Sequence, residues 1–145
     1  MKRTILMTAL LAISAGFATA EERIAATLFK NPGCACCDKY ADYLRENGFD
    51  VTVFENPNMS LIKQQHGVRN DLEGCHSTIV GGYVVEGHVP VSQIKRLLID
   101  KPAIKGISLP GMPQGSPGMS GEKEEPFTIY SITGENGDAP VYAKE

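Results

Sequence analysis

Hydrophobic positions along the chain fall into short runs of two kinds, and their spacing predicts the elements. Arg23 to Phe29 reads as a strand. Its run Ile24-Ala25-Ala26-Thr27-Leu28-Phe29 suits a central strand buried on both faces. Cys37, Tyr40, Ala41 and Leu44 then recur at helical spacing and predict a helix over Asp38 to Asn47, capped by Gly48. Val51-Thr52-Val53-Phe54 predicts a second strand. Pro57 and Asn58 open a short helix with Leu61 and Ile62 facing inward, ended by Gly67, and Val68 to Gly74 reads as a loop. Thr78-Ile79-Val80 and Tyr83-Val84-Val85 flank Gly81-Gly82, the signal of a two-residue hairpin. Gly87, His88 and Pro90 make a turn. Val91, Ile94, Leu97 and Leu98 then line one face of a helix that stops before Pro102. The order βαβα followed by ββα is that of an α/β, thioredoxin-like fold, in which a mixed sheet is flanked by helices.

Beyond Pro102 the pattern changes. Leu109 to Met119 is rich in proline and glycine and holds Met112 and Met119, so neither regular helix nor central strand suits it. Such a segment is either a linker or a loop that covers a site. Gly121 to Glu125 is charged. Phe127 to Ile132 alternates and predicts a late strand, with Val141-Tyr142 as a partner.

The first twenty residues form a segment apart. Lys2 and Arg3 precede the apolar Ile5 to Phe17, and Ala18-Thr19-Ala20 is a small-residue cleavage site, so residues 1–20 read as a removable signal peptide. The apolar run is shorter than the roughly 20 residues of a spanning helix, so no membrane insertion is expected after cleavage. The expected location is the periplasm. Residues 21–120 would form one domain, and residues 121–145 a C-terminal extension with the late strand packed on it. Loss of the leader lowers the basic count from 14 to 12, five fewer than the 17 acidic residues. No basic patch interrupts this acidic balance, which argues against a nucleic-acid partner.

Against this background the cysteines stand out. Cys34, Cys36 and Cys37 lie within four positions, on the turn between the first strand and the first helix, and Cys75 returns later beside His76. Exported proteins often pair four cysteines as two staples, but neighbouring cysteines close little chain and only Cys75 is distant. Cys34 and Cys37 have the spacing of a redox pair. The added Cys36 concentrates negative charge that a metal ion offsets, and Cys75 supplies a fourth sulfur. Soft thiolates favour Cu(I), with zinc, silver or mercury as competitors. His76 and His88 are candidate ligands, as are the thioethers of Met112 and Met119, while His66 and Met59 have structural readings. Three readings remain open on the residues alone: a metal-binding protein, a thiol-disulfide oxidoreductase using Cys34 and Cys37, and a structural module stapled by disulfides.

Several stretches together resemble one family. They are Lys30-Asn31-Pro32-Gly33-Cys34-Ala35-Cys36-Cys37, Gly48-Phe49, Cys75-His76-Ser77, Gly82 to Pro90, Lys101-Pro102, Pro110 to Pro113 and Gly115 to Met119. The chain resembles the CopG-type copper-resistance proteins, domain-of-unknown-function family 411, from about Ile24 to Met119. Ala35 stands where the family commonly has Gly, and Ser77 where Thr is usual. The resemblance implies a thioredoxin-like fold in the periplasm and a role in handling toxic copper, with Cu(I)/Cu(II) redox activity. It implies copper ligands at Cys34, Cys36, Cys37 and Cys75, with His76, His88, Met112 and Met119 around them. Three thiols packed within four positions suit bridging thiolates and more than one copper ion, and copper export or chaperone proteins are expected partners. Whether the chain is an enzyme, such as a copper-dependent oxidoreductase, stays open at this level.

Overall fold

The computed structural model describes residues 22–135 and 137–145. The expected signal peptide, residues 1–20, and its cleavage site lie outside the described residues. Among those described, no helix is long and apolar enough to cross a membrane.

Among the described residues, seven strands form one mixed sheet in the order β2-β1-β3-β4-β5-β6-β7. The strands are β1 (Ile24–Lys30), β2 (Phe49–Glu55), β3 (His76–Val80), β4 (Tyr83–Gly87), β5 (Gly106–Leu109), β6 (Thr128–Ile132) and β7 (Val141–Lys144). Helices α1 (Ala35–Glu46), α2 (Met59–Gln65) and α3 (Val91–Asp100) connect them, with a 3-10 turn at Asn70–Leu72. The parallel β1–β2 pair brackets α1, and β3 runs antiparallel to β1 and to β4. This is the thioredoxin-like arrangement that the element order predicts.

The main core fills one face of the sheet. Ala26, Leu28, Val80, Val85, Ile107 and Ile129 from the strands meet Tyr40, Ala41 and Leu44 of α1 and Ile94 and Leu97 of α3. A smaller cluster of Val68, Leu72, Val84 and Ile132 lies on the other face.

The structure corrects four sequence expectations. Strand β1 is covered unequally: Ala26, Leu28 and Lys30 are buried whereas Thr27 and Phe29 are only half-covered, because the short α2 shields less than α1 and α3 do. Helix α1 starts at Ala35 rather than Asp38, so Cys34 is its N-cap and Cys36 and Cys37 both sit in its first turn. In α2, Leu61 is exposed, and the buried positions are Met59 and Lys63. Finally, β5 was not foreseen. Gly106-Ile107-Ser108-Leu109 is short, and its buried Ser108 breaks the apolar signal while donating to the Leu72 carbonyl at 2.5 Å.

Candidate metal centre

Strand register brings the distant cysteines together. Lys30 at the end of β1 pairs with His76 at the start of β3, so the turn leaving β1 and the loop entering β3 lie side by side. In that turn Gly33 takes φ +73°, a conformation glycine adopts without a Cβ clash, and delivers Cys34 to the N-terminus of α1. The β3–β4 hairpin pairs Ser77 with Glu86 across Gly81-Gly82. Continued by two positions, that register sets Cys75 opposite His88.

The four sulfurs converge. Cys34 and Cys37 are joined by a disulfide, while Cys36 and Cys75 are free. Cys36 Sγ lies 3.5 Å from Cys34 Sγ and 3.7 Å from Cys75 Sγ, and Cys37 Sγ lies 3.5 Å from Cys75 Sγ. A second set shares Cys75, whose Sγ is 3.3 Å from His76 Nδ1 and 3.1 Å from His88 Nε2. In each set, one donor atom per residue lies within 4.8 Å of every other.

Aromatic packing and backbone fix the imidazoles. His76 is fully buried and packs on Tyr40 with tilted rings 4.5 Å between centroids, and His88 meets the same ring edge-on at 5.3 Å. Tyr40 is held in turn by donating its hydroxyl to the Val89 carbonyl at 2.8 Å. His88 Nδ1 donates to the Pro117 carbonyl at 2.6 Å, which leaves the Nε2 lone pair of a neutral ring aimed at Cys75. A metal-binding histidine is commonly oriented by such a bond on its other nitrogen.

Burial sets the protonation. It pushes the Cys75 thiol up to about 12, helped by the neighbouring Cys36 sulfur. It holds His76 well below the usual imidazole range, with His88 beside it as a smaller cause. His88 is also lowered by burial, against the opposing pull of the Pro117 carbonyl. Both imidazoles are therefore neutral at pH 7, the form that ligates, and the Cys75 proton is one that a soft cation displaces on binding.

These residues fit a soft metal. Thiolate sulfur is a donor that selects Cu(I) among soft metals, and neutral imidazole suits copper and zinc alike. The buried His76 Nε2, across the ring from the Nδ1 that faces Cys75, has no hydrogen-bond partner among the described residues.

The two methionines are placed differently. Met112 is 41% exposed at the turn after β5, with φ +48°. Met119 is half-buried, next to Gly118, where an added Cβ would run into the backbone of Cys36 and Tyr40. The Pro/Gly-rich segment thus lies over the start of α1 and seats His88, as a loop covering the site does. His66 is the C-cap of α2, and Met59 is core.

Sequence reasoning missed Lys63 and Glu86. Lys63 Nζ pairs with Glu86 Oε1 in the interior, with side-chain exposures of 5% and 0%. The available signal was a glutamate inside the otherwise apolar Tyr83-Val84-Val85-Glu86-Gly87.

A family model described as "Protein of unknown function, DUF411" matches residues 72–119. Two solved structures of a copper resistance protein copG, form 2 and form 1, share 34% identity with this chain. They cover 86% of it, and 99% and 98% of their own lengths, with TM-scores of 0.77 and 0.76. No curated protein matches. With that identity spread over nearly the whole of both structures, the chain belongs to the family of the copG copper resistance proteins.

Proposed function

We propose that this protein is a periplasmic copper-handling protein that takes up Cu(I) through Cys34, Cys36, Cys37 and Cys75. His76 and His88 extend the site on the Cys75 side. The observation that carries the reading is the sharing of Cys75 between a four-sulfur set and a sulfur-plus-two-imidazole set. A sulfur common to two donor sets suits a bridging thiolate and more than one copper ion. Copper, when bound, supplies one-electron chemistry. The chain's residues supply the soft donors, with the neutral rings of His76 and His88 fixed by Tyr40 and Pro117. The leader-like residues 1–20 support export to the periplasm, where copper export or chaperone proteins are the natural partners.

The Cys34–Cys37 disulfide sets a condition on uptake. Two of the four sulfurs cannot bind as thiolates until it is reduced. Anaerobic reduction and loading should therefore leave more than one copper per chain, and the disulfide form should retain less. A quadruple Cys→Ser variant should retain none of the sulfur-bound copper. Absence of tightly held copper on the reduced protein would refute the reading.

The same disulfide favours a second reading, a thiol-disulfide oxidoreductase with Cys34 as nucleophile and Cys37 resolving. Cys34→Ser separates the two. An oxidoreductase loses all turnover, whereas a site with three remaining sulfurs keeps copper at lower affinity.

A further inference from the structure

Behind Cys75 lies a buried polar network that neither donor set uses. Glu86, on β4 and without exposed surface, places both carboxylate oxygens against the chain that flanks Cys75. Its Oε1 accepts from the Gly74 amide at 2.7 Å and from Lys63 Nζ, and its Oε2 accepts from the Ser77 hydroxyl at 2.5 Å. Lys63, reaching in from α2, also donates to the Gly74 carbonyl at 2.9 Å. Gly74 is thus held through both its amide and its carbonyl, and Ser77 through its side chain.

Cys75 and His76 are the two residues between those anchor points. Gly74 can sit there because it has no side chain: a Cβ would come within 2.6 Å of the Gly87 α-carbon. Sheet pairing reaches His76 through Lys30 of β1 and Ser77 through Glu86 of β4, but neither ladder reaches Gly74 or Cys75. The network therefore supplies the side-chain bonds that hold the backbone just before and after the two ligand candidates. A buried ion pair is weak evidence for stability, since an apolar pair of similar volume often serves as well. Here the position of the pair, between the two anchor points, gives it a role other than stability.

We propose that Lys63 and Glu86 are positioning residues, a buried ion-pair clamp on Gly74 and Ser77 that sets Cys75 and His76 against the cysteines of α1. The clamp stands without any metal, and its consequence for copper rests on the reading above. Loosening it lets the Cys75 sulfur leave the 3.5 Å contact with Cys37 while the sulfurs on α1 keep their spacing.

The test is the effective concentration of one thiol toward another, read against a glutathione buffer on the full chain. In a Cys34→Ser/Cys36→Ser background it reports the Cys37–Cys75 pair. In a Cys36→Ser/Cys75→Ser background it reports the Cys34–Cys37 pair, both members of which belong to α1 and its cap. Lys63→Met should lower the first by about tenfold or more, the scale at which second partners of ligands act, and leave the second unchanged. Equal falls in both would mean general loosening and overturn the proposal, as would no change in either. Failure of Cys37–Cys75 to form in the parent overturns it too, since the contact to be held would not exist. Should Lys63→Met not fold, Ser77→Ala removes one clamp bond only. A smaller fall confined to the Cys37–Cys75 pair is then expected, and no change refutes the clamp. Cu(I) affinity of the reduced four-cysteine protein should fall about 10- to 100-fold with Lys63→Met. A wild-type chain that binds no Cu(I) would sink the copper reading and leave the thiol result standing.

Discussion

Gly118 shows how one missing side chain holds the covering loop in place. Its φ is +80°, and a Cβ there would lie 2.8 Å from the Tyr40 amide nitrogen and 3.1 Å from the Cys36 carbonyl oxygen. Both obstacles are backbone of α1, which cannot swing aside as a flexible side chain would. Gly118→Ala should therefore lift the loop and cost about 1–3 kcal/mol through the left-handed backbone and the clash together. Denaturant unfolding measures the loss. The same displacement carries Pro117, whose carbonyl orients His88, so copper affinity should fall with stability. A variant as stable as the parent would show that the loop does not rest on α1.

Between elements, a tyrosine does the work of a cap. Helix α3 begins after Pro90 with no side-chain cap of its own, and its first amide, Val91 N–H, donates to the Tyr43 hydroxyl of α1 at 2.9 Å. Tyr43→Phe leaves that amide without a partner and should cost about 1 kcal/mol, seen as a lower denaturation midpoint. Burial raises the Tyr43 phenol above the ordinary value of 10.0. Unfolded Tyr43 thus loses its proton before the folded one does, so the folded state binds more protons and stability falls as pH rises past 10. Below that pH the contribution is complete. Tyr43→Phe should flatten this alkaline decline, and an identical slope in both proteins would show that Tyr43 does not carry it. Helical spacing had placed Tyr40 on the inner face of α1, but spacing does not report the target of a hydroxyl. The same limit separates what was legible from what was not. The short apolar runs on either side of Gly81-Gly82 predicted β3 and β4, and the cysteine spacing marked the sulfurs that the fold brings together. The buried Lys63–Glu86 pair has no periodic signature, and neither does the short β5, whose Ser108 finds its partner 36 positions away.

For the whole molecule, the loop over the cysteine turn is held at both of its ends. Strand β5 leads out of the sheet at Leu109 into the covering loop, and the chain returns at Phe127 into β6. The loop is therefore pinned at two points in the same sheet, because β6 pairs antiparallel with β5. Ile129 of β6 is fully buried in the main core with Ile107 of β5 and Leu97 of α3. Glu145 ties the end of β7 to α3 by accepting from Ser92 Oγ and Gln93 Nε2, each at 2.7 Å. These contacts make the last two strands part of the fold that presents the site. Ile129→Ala should cost about 2–5 kcal/mol, the range for a large aliphatic side chain removed from a packed core. A chain ended after Ser120 removes all of these contacts at once and frees the far end of the loop. Its thermal transition, followed by circular dichroism, should broaden or vanish. An unchanged cooperative transition would mean that β6 and β7 are appended to a domain complete without them. The predicted loss means instead that the loop over the cysteines is a span between two strands, and that the site is built by the entire sheet.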